Sequence, residues 1–226
     1  MGGVWAVIPV KELDRAKQRL APALAPAQRR ALALAMIEDV LAAVAAGPGL
    51  AGILVVTVDP VARRLAERHG ARVFETGARD GHTGAVAAAA RLLADERRAG
   101  MLTLPGDVPL VTPDEITRLL TAHGQAPAFT IAPSHDERGS NAVLCSPPDL
   151  VPLRFGDDSF LPHLAAAEAR GITPRVLRLQ GIALDIDNPG DLARFAPLGG
   201  HTRTGALLAK SAMLATNIAA PDRARA

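Results

Sequence analysis

The sequence predicts an α/β fold in which a mixed, mostly parallel sheet is covered by helices on both faces. Short apolar runs of strand length alternate with longer segments of helical periodicity, as in chains of β-α-β units. The run over residues 53–58 is apolar almost throughout, which is typical of a parallel strand buried on both faces. The alternation breaks after Gly124, where two strand-like runs follow one another and predict an antiparallel insertion.

The first half of the chain supplies the parallel part of the sheet. Apolar residues recur at helical spacing between the strands, and Gly or Pro ends most of these segments. Strands are predicted over residues 4–10, 53–58, 71–74 and 101–104, and helices over 27–46, 60–69, 83–98 and 114–123. Because each strand is followed by a helix, these strands should run parallel.

The second half adds the insertion and a closing segment. Strands are predicted over residues 129–132, 141–145, 174–179 and 183–186, with a helix over 159–170 and a last short helix after Asp187. One domain is expected over residues 1–197. Residues 198–226 form a tail with a helix over 205–213, which is either an oligomer contact or loosely ordered.

Composition excludes several classes of function. The chain has 226 residues, 49% of them hydrophobic, and a formal net charge of only +2, too small an excess to indicate a nucleic acid or an anionic membrane as partner. No tyrosine is present, which weakens any model of base stacking. The single cysteine, Cys145, excludes an internal disulfide and, lying in an apolar strand, indicates a core residue. The apolar amino terminus is too short for a signal peptide or a membrane span, so the expected location is the cytoplasm.

Asp107 is the most informative candidate for function. An apolar run delivers this carboxylate onto a turn stiffened by Pro105 and Pro109, where ligands of open α/β sheets bind. The alternative is a helix cap, but the following helix has its own signal at Thr112. We therefore favour a metal or ligand role for Asp107.

A basic loop follows the first strand. It carries four cations, Lys11, Arg15, Lys17 and Arg19, which would suit a triphosphate and a departing pyrophosphate. A solvated basic face is the alternative, and the position after strand one favours the functional interpretation. The loop has neither a P-loop nor a dinucleotide-binding glycine pattern.

A second acidic motif holds Asp185 and Asp187 with the spacing of one strand face. Magnesium prefers few carboxylates plus phosphate oxygens, so Asp107 with Asp185 or Asp187 would make a reasonable site. For Asp187 the alternative, a turn that caps the last helix, is about equally favoured.

Small polar residues occupy two further loops. Ser140 and Asn141 precede a strand, and Gly156 and Ser159 precede a helix, where hydroxyls and amides suit a small phosphorylated or carboxylated ligand. Taken alone they are ordinary turns, and Ser159 is most simply an N-cap. His82 lies before a helix and is either a contact to ribose or base or a plain loop histidine.

These motifs together resemble one enzyme family, the guanylyltransferases of deazaflavin coenzyme biosynthesis that act on 2-phospho-L-lactate, phosphoenolpyruvate or 3-phosphoglycerate. The resemblance spans about residues 4–196, in order, and leaves the tail outside. The motifs are Pro9-Val-Lys11, Ala16-Lys17-x-Arg19-Leu20, Leu104-Pro-Gly-Asp107-Val-Pro109, Gly139-Ser-Asn141, Phe155-Gly-x-x-Ser159-Phe and Leu184-Asp-Ile-Asp187-x-Pro.

The resemblance implies a nucleotidyltransferase three-layer sandwich, like that of the nucleotide-diphospho-sugar transferases. A phosphate oxygen of the small acid would attack the α-phosphorus of GTP, and magnesium-bound pyrophosphate would leave. The implied catalytic residues are Lys17, Arg19 and Asp107. The implied nucleotide-binding residues are Lys11, Lys17, Arg19, His82, Thr83 and Gly84. The implied acceptor-binding residues are Ser140, Asn141, Gly156 and Ser159. The implied metal ligands are Asp107, Asp185 and Asp187.

The chain departs from the family at residues 81–84, where Gly-His-Thr-Gly replaces a common Gly-Leu-Asn run, and this bears on the choice of base and acceptor. Expected partners are GTP and the three-carbon acid, with a homodimer and a hand-off to the next enzyme left open. Two other hypotheses remain. One is a different nucleotidyltransferase, such as a cytidylyl- or molybdopterin nucleotidyltransferase, or a nucleotide-sugar glycosyltransferase; the other is a non-catalytic nucleotide-binding partner.

Overall fold

The computed structural model describes residues 2–210, and within them seven strands form a single sheet. The strands are β1 (Gly2–Pro9), β2 (Leu50–Val56), β3 (Arg72–Phe74), β4 (Arg98–Thr103), β5 (Ala128–Pro133), β6 (Ser140–Ser146) and β7 (Arg175–Val176). Their order is β3-β2-β1-β4-β6-β5-β7. Only β6 runs antiparallel to its neighbours, so the predicted mixed, mostly parallel sheet is confirmed.

Eight α-helices lie within residues 2–210. They are α1 (Pro26–Ala46), α2 (Pro60–Arg68), α3 (Gly81–Asp95), α4 (Pro113–Ala122), α5 (Phe160–Glu168), α6 (Gln180–Ala183), α7 (Pro189–Phe195) and α8 (Arg203–Lys210). Several begin at proline, whose missing N–H costs nothing there. No helix among residues 2–210 is long and apolar enough to cross a membrane.

The sheet is buried on both faces. In β1, Ala6 and Ile8 pack with α1, α2 and α4 on one side, while Val7 packs with α3 and α5 on the other. Cys145 belongs to the second cluster, and burial raises its pKa to about 12, so its interpretation as a core residue is confirmed. The three-layer sandwich predicted from the resemblance is thus present.

The strand order creates a switch point between β1 and β4. The chain leaves β1 toward β2 and β3, then returns through α3 to place β4 on the opposite side of β1. The chain therefore runs from β1 toward one edge of the sheet and from β4 toward the other, and a crevice opens at the carboxyl ends of these two strands. The basic loop follows β1 and Asp107 follows β4, so both reach this crevice.

Three predicted elements differ from the structure. The strand expected over residues 174–179 is reduced to the two residues of β7. The strand expected over residues 183–186 is wrong: a helical turn, α6, ends at Ala183, and the backbone N–H of Ile186 donates to the carbonyl of Asp107 at 3.0 Å rather than joining the sheet. Burial of Leu184 and Ile186 produced the alternation that suggests a strand. The third helix ends at Asp95 rather than residue 98, because Arg97 takes a left-handed backbone (φ 55°) and Arg98 begins β4.

Helix α8 packs on the domain through Asp39 of α1. One carboxylate oxygen of Asp39 accepts from the backbone N–H of Arg203 at 2.9 Å, and the other accepts from the N–H and hydroxyl of Thr204 at 2.9 and 2.7 Å. A buried acid on α1 thus serves the amino terminus of α8. The ordered core therefore continues past residue 197, whereas the predicted extension of this helix to Met213 lies outside the described residues.

We expect Asp39→Ala to destabilise the protein, because it leaves the donors at the start of α8 without their acceptor. The expected loss is about 1–3 kcal/mol, or a fall in Tm of about 2–10 °C. Thermal unfolding followed by circular dichroism measures it. Asp95→Ala, at an exposed acid, is the control and should change Tm little; an equal fall in both variants would contradict the anchoring role of Asp39.

Candidate active site

A cleft of about 1340 Å³ opens at the carboxyl ends of β1 and β4. Its wall includes the basic loop, the turn at Asp107, the start of α3, the start of β6 and the segment after α6. Single-ligand pockets usually measure roughly 300–1,000 Å³. The cleft is therefore large enough for two substrates side by side.

Lys17 lies at the centre of this cleft. Its Nζ donates to Asp107 Oδ2 at 2.5 Å and to Asp187 Oδ1 at 2.7 Å, although these partners are 90 and 170 residues away in sequence. Lys17 adopts a left-handed backbone (φ 53°) between two short 3₁₀ helices, a conformation that costs a non-glycine residue energy. The surrounding contacts hold it there, as at many functional sites.

Asp107 has no role as a helix cap. The N-cap of α4 is Thr112, which forms a capping box with Glu115. Gly106, just before Asp107, passes so close to α1 that a Cβ there would lie 3.0 Å from Ile37. The turn is therefore fixed by packing, and the Asp107 carboxylate is left to face Lys17.

Charge pairing shapes the ionisation of this cluster. Burial opposes the charge of Lys17, but Asp107 and Asp187 raise its pKa above the usual value. Burial alone would raise the pKa of Asp187, yet Lys17, with Arg19 and Lys11, holds it below its usual value. Lys17 is therefore charged and Asp187 ionised at neutral pH. The N-cap of α7 is Asn188, so the capping alternative for Asp187 is wrong.

Asp185 lies beside this cluster but in a different environment. Burial, and after it the charge of Asp107, raise the pKa of Asp185, although a hydrogen bond from Asn141 partly offsets this. The Nδ2 group of Asn141 donates to Asp185 Oδ1 at 3.0 Å and to the carbonyl of Ile182 at 2.9 Å. The amide nitrogen of Asn141 is thus committed to positioning the segment that carries Asp185, rather than free for an acceptor acid.

The three predicted metal ligands do not converge on one point. Within residues 2–210, no three carboxylate, histidine or cysteine side chains are grouped closely enough to hold a cation. Asp107 and Asp187 do converge, since both contact one ammonium nitrogen. This pair of oxygen donors around a cation-sized space fits magnesium, which needs few carboxylates when phosphate completes its shell.

The other two predicted phosphate ligands lie at the rim. Arg19 is two-thirds exposed, 3.4 Å from Asp157 and 4.0 Å from Asp187. Lys11 is exposed and lines the cleft. Both side chains can therefore move to a ligand at little cost, whereas Lys17 would have to exchange two carboxylates for it.

The four predicted acceptor residues also line the cleft. Ser159 is the N-cap residue of α5, but its hydroxyl makes no capping bond and instead accepts from the backbone N–H of Ser140 at 3.0 Å. The Ser140 hydroxyl lies 2.9 Å from Nδ1 of His163 and 3.3 Å from the Ser159 hydroxyl. Gly156 also lines the cleft. Three of the four predicted residues thus present hydroxyl or backbone groups at the cleft.

The start of α3 contributes His82 and Thr83. His82 is tilted against Phe155, with ring centroids 4.4 Å apart, and burial lowers its pKa to about 4, so it is neutral. The Thr83 hydroxyl accepts from the backbone N–H of Phe155 at 2.9 Å. Gly84 does not line the cleft: a Cβ there would lie 2.3 Å from that of Asp80, so close packing explains this glycine.

Sequence reasoning missed His163 and the ring role of Phe155. His163 is 1% exposed, behind Ser140, and Phe155 lies between the two histidine rings. One signal was available. His163 follows Ser159 by four residues, so on a helix both lie on one face.

Solved structures assign this architecture to a class. A nucleotide-diphospho-sugar transferase from Desulfovibrio desulfuricans G20 superposes with a TM-score of 0.73 over 96% of this chain and 99% of that one, at 15% identity. A 4-diphosphocytidyl-2C-methyl-D-erythritol synthase superposes with a TM-score of 0.58 over 85% and 96%, at 16% identity. The fold is that of the nucleotide-diphospho-sugar transferase class.

Sequence comparison then assigns the family. Residues 4–223 match the family described as guanylyl transferase CofC like. The phosphoenolpyruvate guanylyltransferase of Rubrobacter xylanophilus is 40% identical over 87% of this chain and 95% of its own length. The 3-phospho-D-glycerate guanylyltransferase of Colwellia psychrerythraea is 36% identical over 85% and 90%. The chain belongs to this guanylyltransferase family, and the match includes most of the tail that the motif resemblance left outside.

We expect Lys17→Met to lower stability at neutral pH, since two carboxylates would lose their shared cation. The depressed pKa of Asp187 contributes stability above its ordinary value of 3.8, which is lost as pH falls through the lower folded value. The raised pKa of Lys17 contributes below its ordinary value of 10.5 and is lost as pH rises through the higher folded value. The free energy of unfolding of the variant should thus be about 1–2 kcal/mol below that of the parent between about pH 5 and 8. This difference should shrink below pH 3.8.

Urea titrations of parent and variant across pH measure this deficit. Lys11→Met, at an exposed lysine of the same loop, is the control and should show little deficit. If the loss of unfolding free energy in Lys17→Met stayed the same in acid, it would come from lost packing contacts and not from the lost charge.

The two acids of the second motif should respond oppositely to the same change. Asp187→Asn removes a charge that Lys17 stabilises and should lower Tm. Asp185→Asn removes a charge that burial disfavours, while its amide oxygen can still accept from Asn141, so Tm should stay equal or rise by up to about 3 °C. Differential scanning calorimetry distinguishes the two, and a clear fall for Asp185→Asn would contradict this assignment.

Proposed function

We propose that this protein transfers GMP from GTP to a small phosphorylated three-carbon acid, with phosphoenolpyruvate as the preferred acceptor. A phosphate oxygen of the acid attacks the α-phosphorus of GTP. The bond from that phosphorus to the bridging oxygen breaks, and pyrophosphate leaves with the electron pair. A new diphosphate joins guanosine to the acid, and no oxidant or reductant is needed.

The observation that carries this proposal is the position of Lys17 and its two carboxylates at the switch point. A transfer between phosphates needs charge neutralisation and alignment more than a nucleophilic side chain. Lys17 offers a fixed charge in a protected place, and Lys11 and Arg19 offer mobile charges at the rim. Together they suit a triphosphate that arrives with its counter-ion and leaves as pyrophosphate.

Magnesium fits this arrangement as the counter-ion. Asp107 and Asp187 would hold it; when bound, it would neutralise phosphate oxygens beside the transferred phosphorus. With its two carboxylates shared in this way, Lys17 would be available to the triphosphate. Asp185, beside the pair and close to Asn141, supports the same segment.

Acceptor choice is supported by the relatives and by the hydroxyl and backbone groups that line part of the cleft. Several relatives with 38–40% identity are phosphoenolpyruvate guanylyltransferases. Ser140, Ser159 and Gly156 supply hydroxyl and backbone groups suited to the carboxylate and phosphate of such an acid. The product would enter deazaflavin coenzyme biosynthesis.

Asp107→Asn should reduce kcat/KM for guanylyl transfer at least about 100-fold, because one carboxylate charge of the proposed magnesium pair is lost. Pyrophosphate release from GTP, magnesium and phosphoenolpyruvate measures the rate. Asp95→Asn is the control and should keep the parental rate. Parental turnover in Asp107→Asn would remove Asp107 from the reaction.

A competition experiment tests the acceptor and the base. The protein is incubated with magnesium, equal amounts of phosphoenolpyruvate, 3-phosphoglycerate and 2-phospho-L-lactate, and each nucleoside triphosphate in turn. Mass spectrometry should find the guanylyl adduct of phosphoenolpyruvate in excess, formed with GTP only. A cytidylyl product in excess of the guanylyl adduct would replace the proposed function.

A further inference from the structure

Behind the acceptor side of the cleft, one buried histidine joins two parts of the wall. His163 lies on α5 and is 1% exposed. Its Nε2 is 2.9 Å from the backbone nitrogen of Arg154, and its Nδ1 is 2.9 Å from the hydroxyl of Ser140. No substrate contact is needed for this link, since His163 reaches the cleft only through its neighbours.

These two bonds fix the tautomer of His163. A backbone N–H can only donate, so Nε2 must accept from Arg154 and carries no proton. Burial, with a smaller contribution from His82, lowers the pKa of His163 to about 4, so the ring is neutral and holds one proton. That proton is therefore on Nδ1 and is donated to Ser140.

A count of hydrogens shows what this tautomer does to the serine pair. Ser140 Oγ accepts from His163, and Ser159 Oγ accepts from the backbone N–H of Ser140. The two hydroxyls bring two hydrogens, and only one can bridge the 3.3 Å between their oxygens. Whichever serine donates in that bridge, the hydrogen of the other hydroxyl has no acceptor within the pair. With the opposite tautomer, Ser140 would donate to His163, Ser159 would bridge, and none would be left.

We propose that His163 is a positioning residue whose Nδ1–H tautomer makes the Ser140–Ser159 pair a hydrogen-bond donor to an anionic oxygen of the acceptor acid. This inference rests on the proposed function and deepens it. Both serines line the cleft, and the remaining hydrogen has no acceptor recorded within residues 2–210. A carboxylate or phosphate oxygen offers only acceptors, so the pair recognises an anion without adding a charge.

The same histidine positions the loop that carries Gly156. His163 accepts from Arg154, and Thr83 accepts from the next amide, that of Phe155. The loop is thus fixed at two successive amides before Gly156 enters the cleft. Loss of His163 should therefore affect the acid more than the nucleotide.

Steady-state kinetics with substitutions at position 163 test the inference. We expect His163→Leu to raise KM for phosphoenolpyruvate about 10–100-fold while KM for GTP changes less than about 3-fold. His163→Asn, whose amide can donate to Ser140, should recover most of the loss. In a Ser140→Ala background, His163→Leu should add little further increase, because the hydroxyl it orients is gone.

His123 provides a matched control. It is also buried, and its ring nitrogens lie 2.9 Å from the hydroxyls of Thr130 and Ser146, at the end of β6 remote from the cleft. His123→Asn should alter Tm without changing KM for phosphoenolpyruvate. If the role of His163 were purely structural, its substitution would lower Tm and raise KM for both substrates alike. His163→Asn would then not restore KM for phosphoenolpyruvate.

The tautomer itself can be observed in the parent protein. Long-range ¹H–¹⁵N correlation spectra of histidine-labelled protein should show an Nδ1–H ring, assigned by its disappearance in His163→Asn. An Nε2–H tautomer would overturn the inference whatever the kinetics give. If the parent released no pyrophosphate with any acid, the proposed function would fail. The inference would then be tested by calorimetric binding of phosphoenolpyruvate to the parent and to Ser140→Ala. Equal affinity of the two proteins would overturn it.

Discussion

The contact of Lys17 with Asp107 and Asp187 is the interaction on which the cleft depends. It joins three loops far apart in sequence, each placed by a different element: the loop after β1, the turn after β4 and the segment before α7. Without a cation between them, two carboxylates would face each other in a partly buried site. The fold brings them together because β1 and β4 are neighbours at the switch point, so topology and electrostatics specify the same place.

Much of this fold could be predicted from sequence because its signals are local. Four of the helices, α1, α2, α4 and α7, begin at proline, and strands buried on both faces appear as apolar runs. The failure at residues 183–186 has a physical cause. Alternating burial at Leu184 and Ile186 arises whenever an extended segment covers a core, whether or not it joins a sheet. Only the partner of its backbone, here the carbonyl of Asp107, distinguishes the two cases, and that partner is 79 residues away in sequence.

The sequence predicts which loops form the site, but it does not predict what each side chain contacts there. Lys17 and Asp107 were expected to bind ligand, and nothing in a linear pattern shows that they bind each other. Asn141 and Thr83 were expected to contact substrates, yet the Nδ2 group of Asn141 bonds to Ile182 and Asp185, and the Thr83 hydroxyl bonds to the backbone of Phe155. His163 was overlooked because a histidine on an apolar helix face usually belongs to the core, and its function depends on a hydrogen-bond chain that only three dimensions show.

In the proposed reaction, the Lys17 cluster and the Ser140–Ser159 pair would recognise anions by different physical means. At the Lys17 end, charge on the triphosphate changes as pyrophosphate leaves, so fixed cations and a divalent ion respond strongly there. At the Ser140 end, the carboxylate of an acceptor keeps its charge, and a cation would bind substrate and product alike without favouring transfer. Neutral hydroxyls held by a neutral histidine orient the acid without such excess binding. In the proposed reaction, the Lys17 cluster would lie where the bond breaks, which is where differential stabilisation raises the rate.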